Sequence, residues 1–89
     1  MIETNIPVIN KLGLHARAAS KLVKLCSGYS SDIKFSANGQ QVDGKSIMGI
    51  MMLAATQGTE LKLVVDGEDA EAASDAICEM FSDCFGEGE

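Results

Sequence analysis

The chain reads as an α+β fold in the order β-α-β-β-α-β-α, one antiparallel sheet with three helices gathered on a single face. Three stretches predict it. Asp32-Ile33-Lys34-Phe35-Ser36-Ala37 alternates apolar and polar residues and runs into Asn38-Gly39, a dipeptide suited to a two-residue hairpin. Glu60-Leu61-Lys62-Leu63-Val64-Val65-Asp66 has the same period of two. Ala18–Ser27 contains no Pro, Gly or acid, and Ala19, Leu22, Val23 and Cys26 recur three and four apart, as on one buried face of a helix. A half-buried sheet and amphipathic helices then share one core. With 89 residues, 46% of them apolar, the chain is expected to form a single domain over 1–89.

In order along the chain, Ile2–Ile9 is a strand with Ile2, Ile6 and Val8 on one side. Pro7 cannot donate to a ladder, so the strand belongs at an edge. Asn10–Leu14 is a loop, and the first helix follows to about Ser27. Gly13 allows a turn before it, and Gly28 offers a left-handed cap after it. Gln40–Asp43 is the return strand of the hairpin. Ser46 is a favoured N-cap, because its hydroxyl accepts from an orphan amide, and it opens a helix over Ile47–Ala54. Ile50, Leu53 and Ala54 suffice for the buried face of that helix. Ile47, Met48 and Met51 are left over. Either the helix is covered on more sides, or these three form an exposed, adaptable contact patch.

Thr56–Thr59 turns the chain into the Glu60–Asp66 strand, with Leu61, Leu63 and Val65 toward the core. A central place in the sheet would cover Val64 as well. Asp66-Gly67-Glu68-Asp69 is a turn whose acids open the last helix, where its dipole favours them. Ala70, Ala73, Ile77, Met80, Phe81 and Cys84 make the buried stripe, and Gly86 ends the helix.

Charge is unevenly spread. Residues 60–89 carry ten acids against Lys62, whereas residues 1–59 carry six bases against three acids. Arg17, Lys21 and Lys24 stand at i, i+4 and i+7, on the helix face opposite the apolar one. A solvated face would satisfy folding, but this cluster in an acidic protein suits an acidic partner or a phosphate. Nucleic acid is not an expected partner, since three bases make a small footprint and the remaining surface repels the backbone. No apolar run approaches the ~20 residues of a membrane span. Met1-Ile2-Glu3-Thr4 has neither the basic nor the apolar part of a signal peptide, so a cytoplasmic protein without a membrane partner is expected. Cys26, Cys78 and Cys84 are odd in number and lack C-x-x-C spacing, which reads as reduced thiols and no metal site.

Gly13-Leu14-His15-Ala16-Arg17 holds the one histidine of the chain, at or near the N-cap of the first helix. The first amides of a helix have no intrahelical acceptor and lie at the positive end of its dipole, so an anion sits there favourably. The same field opposes a further positive charge, which favours a neutral, nucleophilic ring. One ring nitrogen can then attack a phosphoryl group whose oxygens are received by the amides and Arg17. The alternative is a partly buried histidine that fills space at a helix start.

Taken together, His15-Ala16-Arg17, Lys45-Ser46-Ile47-Met48-Gly49-Ile50-Met51 and Asp66-Gly67-Glu68-Asp69-Ala70 strongly resemble the histidine-containing phosphocarrier (HPr) family of the bacterial phosphotransferase system. The resemblance runs in order from about Ile2 to Phe85. It implies an open-faced sandwich with sheet order 1-4-2-3, and a monomeric carrier that is not an enzyme and needs no cofactor. It also implies that His15 takes a phosphoryl group on Nδ1 from phospho-Enzyme I, charged by phosphoenolpyruvate, and passes it to an EIIA-type acceptor. Arg17 matches the residue that steadies the phosphate. Ser46 matches the site that an HPr kinase/phosphorylase modifies in many bacteria, and the family's partner surface carries over to Ala16, Ser20, Lys21, Lys24, Ile47, Met48 and Met51. The chain departs at Ala18, where the family signature has a proline that would pre-set the first turn. Two other readings are a regulatory paralogue and a small enzyme. The paralogue, of the nitrogen-related branch or dependent on Ser46, would act by protein binding, and one modified on Ser46 would be expected to lack His15. The enzyme, such as an acylphosphatase, would need a water-positioning amide, for which Asn10 is the nearby candidate.

Overall fold

The computed structural model describes residues 1–53 and 55–86. Its elements are β1 (Ile2–Pro7), α1 (Ala16–Ser27), β2 (Asp32–Ala37), β3 (Gln40–Asp43), α2 (Ile47–Met52), β4 (Glu60–Asp66) and α3 (Ala70–Ser82), followed by a short 3-10 turn over Cys84–Gly86. The strands form one antiparallel sheet in the order β1-β4-β2-β3. Pro7 does lie on an edge strand, where its missing donor costs nothing. Asn38 and Gly39 take positive φ of 52° and 78°, as their hairpin requires.

Period-two alternation decides what the sheet buries. β4 is central, with Ile6 opposite Leu61 and Phe35 opposite Leu63, so Leu61, Leu63 and Val65 are fully buried. Val64 points to the other face and is half-buried, because no helix covers that side. Against the inner face pack Ala18, Ala19, Leu22 and Cys26 of α1, Ile50 and Leu53 from α2 and its C-cap, and Ala70, Ala73, Ile77 and Phe81 of α3. Phe81 links the layers, 6.2 Å from the Phe35 ring and 4.9 Å from Phe85 in an edge-on contact.

Val23 is half-buried and packs against the core, and Ala18 joins the buried face of α1. The sequence expectations fail at helix ends. Gly28 is not a left-handed cap: its angles of −79° and −6° remain right-handed. The last carbonyls of α1 are instead satisfied by i+3 bonds, from Gly28 N–H to Leu25 and Tyr29 N–H to Cys26, both 3.1 Å. α2 stops at Met52 with Leu53 as its C-cap, and Ala54, expected on its buried face, lies outside the described residues.

At the other end of the chain, α3 stops at Ser82 and not at Gly86. Cys84 and Phe85 both adopt left-handed φ, 50° and 57°, at a cost of about 1–2 kcal/mol each. The reversal swings Phe85 into the core, and burying such a ring returns about 1.5–3 kcal/mol. Cys84 therefore leaves the buried stripe, Met80 is half-buried, and Cys78 and Cys84 do not share a helix. Ser74 is buried in the stripe instead.

Asp69 stands at the N-cap of α3, yet its carboxylate makes no bond to the helix. It accepts from the amides of Ser30 and Ser31, at 2.9 and 3.0 Å, and from the Ser31 hydroxyl. Gly67 makes this approach possible, since a Cβ there would lie 2.7 Å from Ser31 Cα. The Ser31 hydroxyl first, and then the Ser30 amide, hold the Asp69 carboxyl below the usual carboxylate range, at about 2. A depressed folded value stabilises the protein above the unfolded value of ~3.9 and ceases to do so as pH falls through the folded value. Asp69→Ala is thus expected to melt several degrees below the parent at pH 7. In melting curves across the acid range, that gap should close between about pH 4 and pH 2. A gap that persists unchanged at the acid end would assign the effect to packing.

Candidate functional site

The loop before α1 is built to hold one conformation. Asn10 is buried, and its Nδ2 donates to the Gly13 carbonyl at 2.8 Å while the Gly13 amide donates back to Asn10 at 3.1 Å. With its amide committed there, Asn10 does not serve as the water-positioning group that a hydrolase would need. Gly13 has φ of +63°, and a Cβ on it would overlap the Ala55 carbonyl and come within 2.9 Å of Thr56 Cα. Leu14 is buried and its amide donates to the Ala55 carbonyl at 2.9 Å. The loop is thereby fixed to the segment that follows α2.

His15 comes next, at the N-cap, half-buried and in extended backbone conformation (φ −75°, ψ 176°). Its carbonyl accepts the first helical bond, from Ala19 N–H at 2.8 Å. The amides of Ala16, Arg17 and Ala18 precede that bond, the His15 side chain does not cap them, and no acid lies in the first turn. A histidine at the N-cap, three amides without a helical acceptor and an exposed Arg17 two residues on are the features that favour an anion at a helix start. Ala18 forms the first turn without proline and buries its methyl completely.

Of the other residues expected on this face, Ala16, Ser20 and Lys24 are exposed. Lys21 is half-buried and otherwise engaged: its Nζ donates to the Phe85 carbonyl at 2.8 Å. Its ammonium thus braces the end of the described chain, which no sequence period could reveal.

Ser46 sits at the N-cap of α2 (φ −116°, ψ 115°), and its Oγ accepts from Gly49 N–H at 3.1 Å. Gly49 lets the helix lie close to β3, since a Cβ there would be 3.1 Å from Val42 Cβ. Only Ile50 of α2 is buried, so the helix is not covered on further sides. Ile47, Met48 and Met51 are 45%, 73% and 47% exposed. Met52 at 63% and Leu12, in the loop before His15, at 69% are exposed as well, as are Ile9 and Met1. Met52 lies four residues after Met48, a helical spacing that could have found it.

All three cysteines are free. Burial pushes the Cys26 thiol up to about 12, which makes it inert as a nucleophile. Among the described residues, no helix is long and apolar enough to cross a membrane.

A family model described as the PTS HPr component phosphorylation site matches residues 2–83. The chain is 51% identical to a phosphocarrier protein HPr of Cupriavidus necator over 89 residues, covering 100% of both. It is 38% identical to a phosphocarrier protein NPr of Shewanella violacea, covering 97% of this chain and 94% of that one. Among solved structures, HPr-C-His from Thermoanaerobacter tengcongensis superposes with a TM-score of 0.94 at 42% identity, covering 98% of each chain. Family match, full-length identity and sheet order agree: the chain belongs to the HPr phosphocarrier family of the phosphotransferase system.

Proposed function

We propose that this protein is a phosphoryl relay in which His15 accepts the group from phospho-Enzyme I and yields it to an EIIA-type acceptor. The observation that carries the reading is the placement of the histidine at an N-cap whose first three amides precede any helical bond. Phosphate oxygens bound to a ring nitrogen there meet amides and the Arg17 guanidinium. The transferred group is held by charge-assisted bonds in both directions, and the bond made or broken is the one between nitrogen and phosphorus. The protein itself turns over nothing; it is charged and discharged. Exposed Ala16, Ser20 and Lys24, together with Ile47, Met48 and Met51, form the docking surface, while Lys21 supports it from a fixed position. Ser46 is the regulatory position, available to an HPr kinase/phosphorylase. A regulatory paralogue has one supporting observation, the likeness to an NPr protein, but identity is higher to an HPr.

The direct test is incubation with phosphoenolpyruvate and Enzyme I, followed by intact mass and acid treatment. The parent should gain one acid-labile phosphoryl group. His15→Ala, which removes the one histidine of the sequence, should gain none and remain folded. A mass gain that survives in the variant would refute the assignment.

Arg17 acts on charge that develops during transfer, so its removal should slow the step itself. Arg17→Ala is expected to lower the transfer rate at saturating partner by about 10- to 100-fold, or ~1.4–2.7 kcal/mol of barrier. If only KM rises, Arg17 is a docking residue.

A phosphate on Ser46 adds ~1.5 to 2 negative charges at a helix start, where free amides tolerate it. The fold should persist, and the interface should suffer, because a partner matched to Arg17 and Lys24 brings acids that meet the new charge. Ser46→Asp should therefore slow Enzyme I-dependent charging several-fold at low salt, less at high salt, with little change in melting. Ser46→Ala should charge normally while losing about 1 kcal/mol of stability with its cap. An Asp variant that charges like the parent at low salt would remove Ser46 from regulation.

A further inference from the structure

Three of the five methionines of this chain fall within five residues, Met48 to Met52, on a helix of six. Their side chains are 73%, 47% and 63% exposed, whereas Met80 on α3 is half-buried. The anchor of α2 does not involve them: Ile50 and the C-cap Leu53 are 0% and 1% exposed and hold the helix to the core. The thiols that would ordinarily intercept an oxidant are poorly placed. Cys26 is fully buried, and Cys78 and Cys84 are half-buried. A hydroperoxide approaching from solvent thus meets thioethers on α2 more readily than it meets sulfur elsewhere, Met1 excepted at 78% exposure.

We propose that Met48, Met51 and Met52 are oxidation sites that make the docking face of this carrier responsive to peroxide. In the step, a thioether sulfur attacks one oxygen of the hydroperoxide and the O–O bond breaks. The sulfur, oxidised by two electrons, keeps that oxygen as a sulfoxide, and the other oxygen leaves as water or alcohol. The product is a strong hydrogen-bond acceptor on a surface that docks by apolar contact, and burying it without a donor opposes association. Because α2 is anchored by other residues, the fold should be unaffected. Sulfoxide reductases make the change reversible, so the effect is a switch and not damage.

This proposal rests on the carrier reading, and the test separates the two. The full chain is treated with hydrogen peroxide, then with dithiothreitol to reverse any thiol oxidation, and its sulfoxides are located by peptide mapping. Enzyme I-dependent charging is measured at limiting and saturating Enzyme I, beside a melting curve. Sulfoxide is expected first at Met48, Met52 and Met1, then at Met51, with the melting temperature unchanged. Charging should fall several-fold at limiting Enzyme I, recover at saturating Enzyme I, and return to its starting rate after treatment with methionine sulfoxide reductases. A combined Met48→Leu, Met51→Leu, Met52→Leu variant, compared only with its own untreated rate, should lose nothing on peroxide treatment. Mapped sulfoxides on α2 with no change in charging would overturn the proposal alone. So would a loss that persists in the leucine variant, or one accompanied by a lower melting temperature. An untreated chain that takes no phosphoryl group would overturn the carrier reading and this proposal with it.

Discussion

The start of α1 depends on one seam, the approach of the loop before it to the segment after α2. Leu14 N–H bonds to the Ala55 carbonyl at 2.9 Å, and the absence of a side chain on Gly13 lets the two backbones meet. A second pair of bonds, Val8 N–H to Thr59 and Gly58 N–H to Val8, both 2.9 Å, continues the seam past the end of β1. Two connections distant in sequence are thus locked side by side. The start of α1, with His15, and the helix that carries the exposed methionines are both tied to this seam. The main chain at His15 is held between the Leu14 bond to this seam and the first bond of α1.

Much of this was legible in the sequence because it rests on periodicity. Leu61, Leu63 and Val65 alternate, and they are buried; Asn38-Gly39 marks a hairpin, and the hairpin is there. Ser46 is the N-cap that its hydroxyl suggests, and His15 stands where the helix after it begins. What the sequence hides is competition between partners. Asp69 does open α3, but its carboxylate is taken by the Ser30 and Ser31 amides of the α1–β2 loop. Lys21 looks like part of a basic stripe but finds a carbonyl at the far end of the chain. Phe85 keeps the four-residue spacing of Ile77 and Phe81, yet it reaches the core past the end of α3, through a left-handed backbone at Cys84 and Phe85. The partners of Asp69 and Lys21 are decided by tertiary contacts, so no local pattern could have announced them.

α2 shows how a short helix can be mostly exposed and still stay folded. Six residues cannot sustain a helix on propensity alone. A serine cap, a glycine against β3 and one buried isoleucine hold it in place. The remaining side chains are released from any structural duty. On the proposed function, oily residues that would otherwise be called misplaced would serve as an adhesive surface, and the soft, unbranched methionines would suit partners of differing contour.

The two tethers on α1 have a further consequence. Its C-terminal connection is latched to the start of α3 through Asp69, and its middle is latched to the end of α3's trailing turn through Lys21. A helix fastened in this way, and tied to the seam at its start, would have little freedom to slide or tilt if a charge arrived at its N-terminal end. Loading the histidine would then leave the shape of the molecule almost unaltered and change only the electrostatic field at one pole. Partners would have to tell the loaded carrier from the empty one by reading charge, much as a reader distinguishes a stamped token from a blank one of identical outline. On the proposed relay, such a messenger would store its state without storing strain, and could be read by several partners without being remade for each.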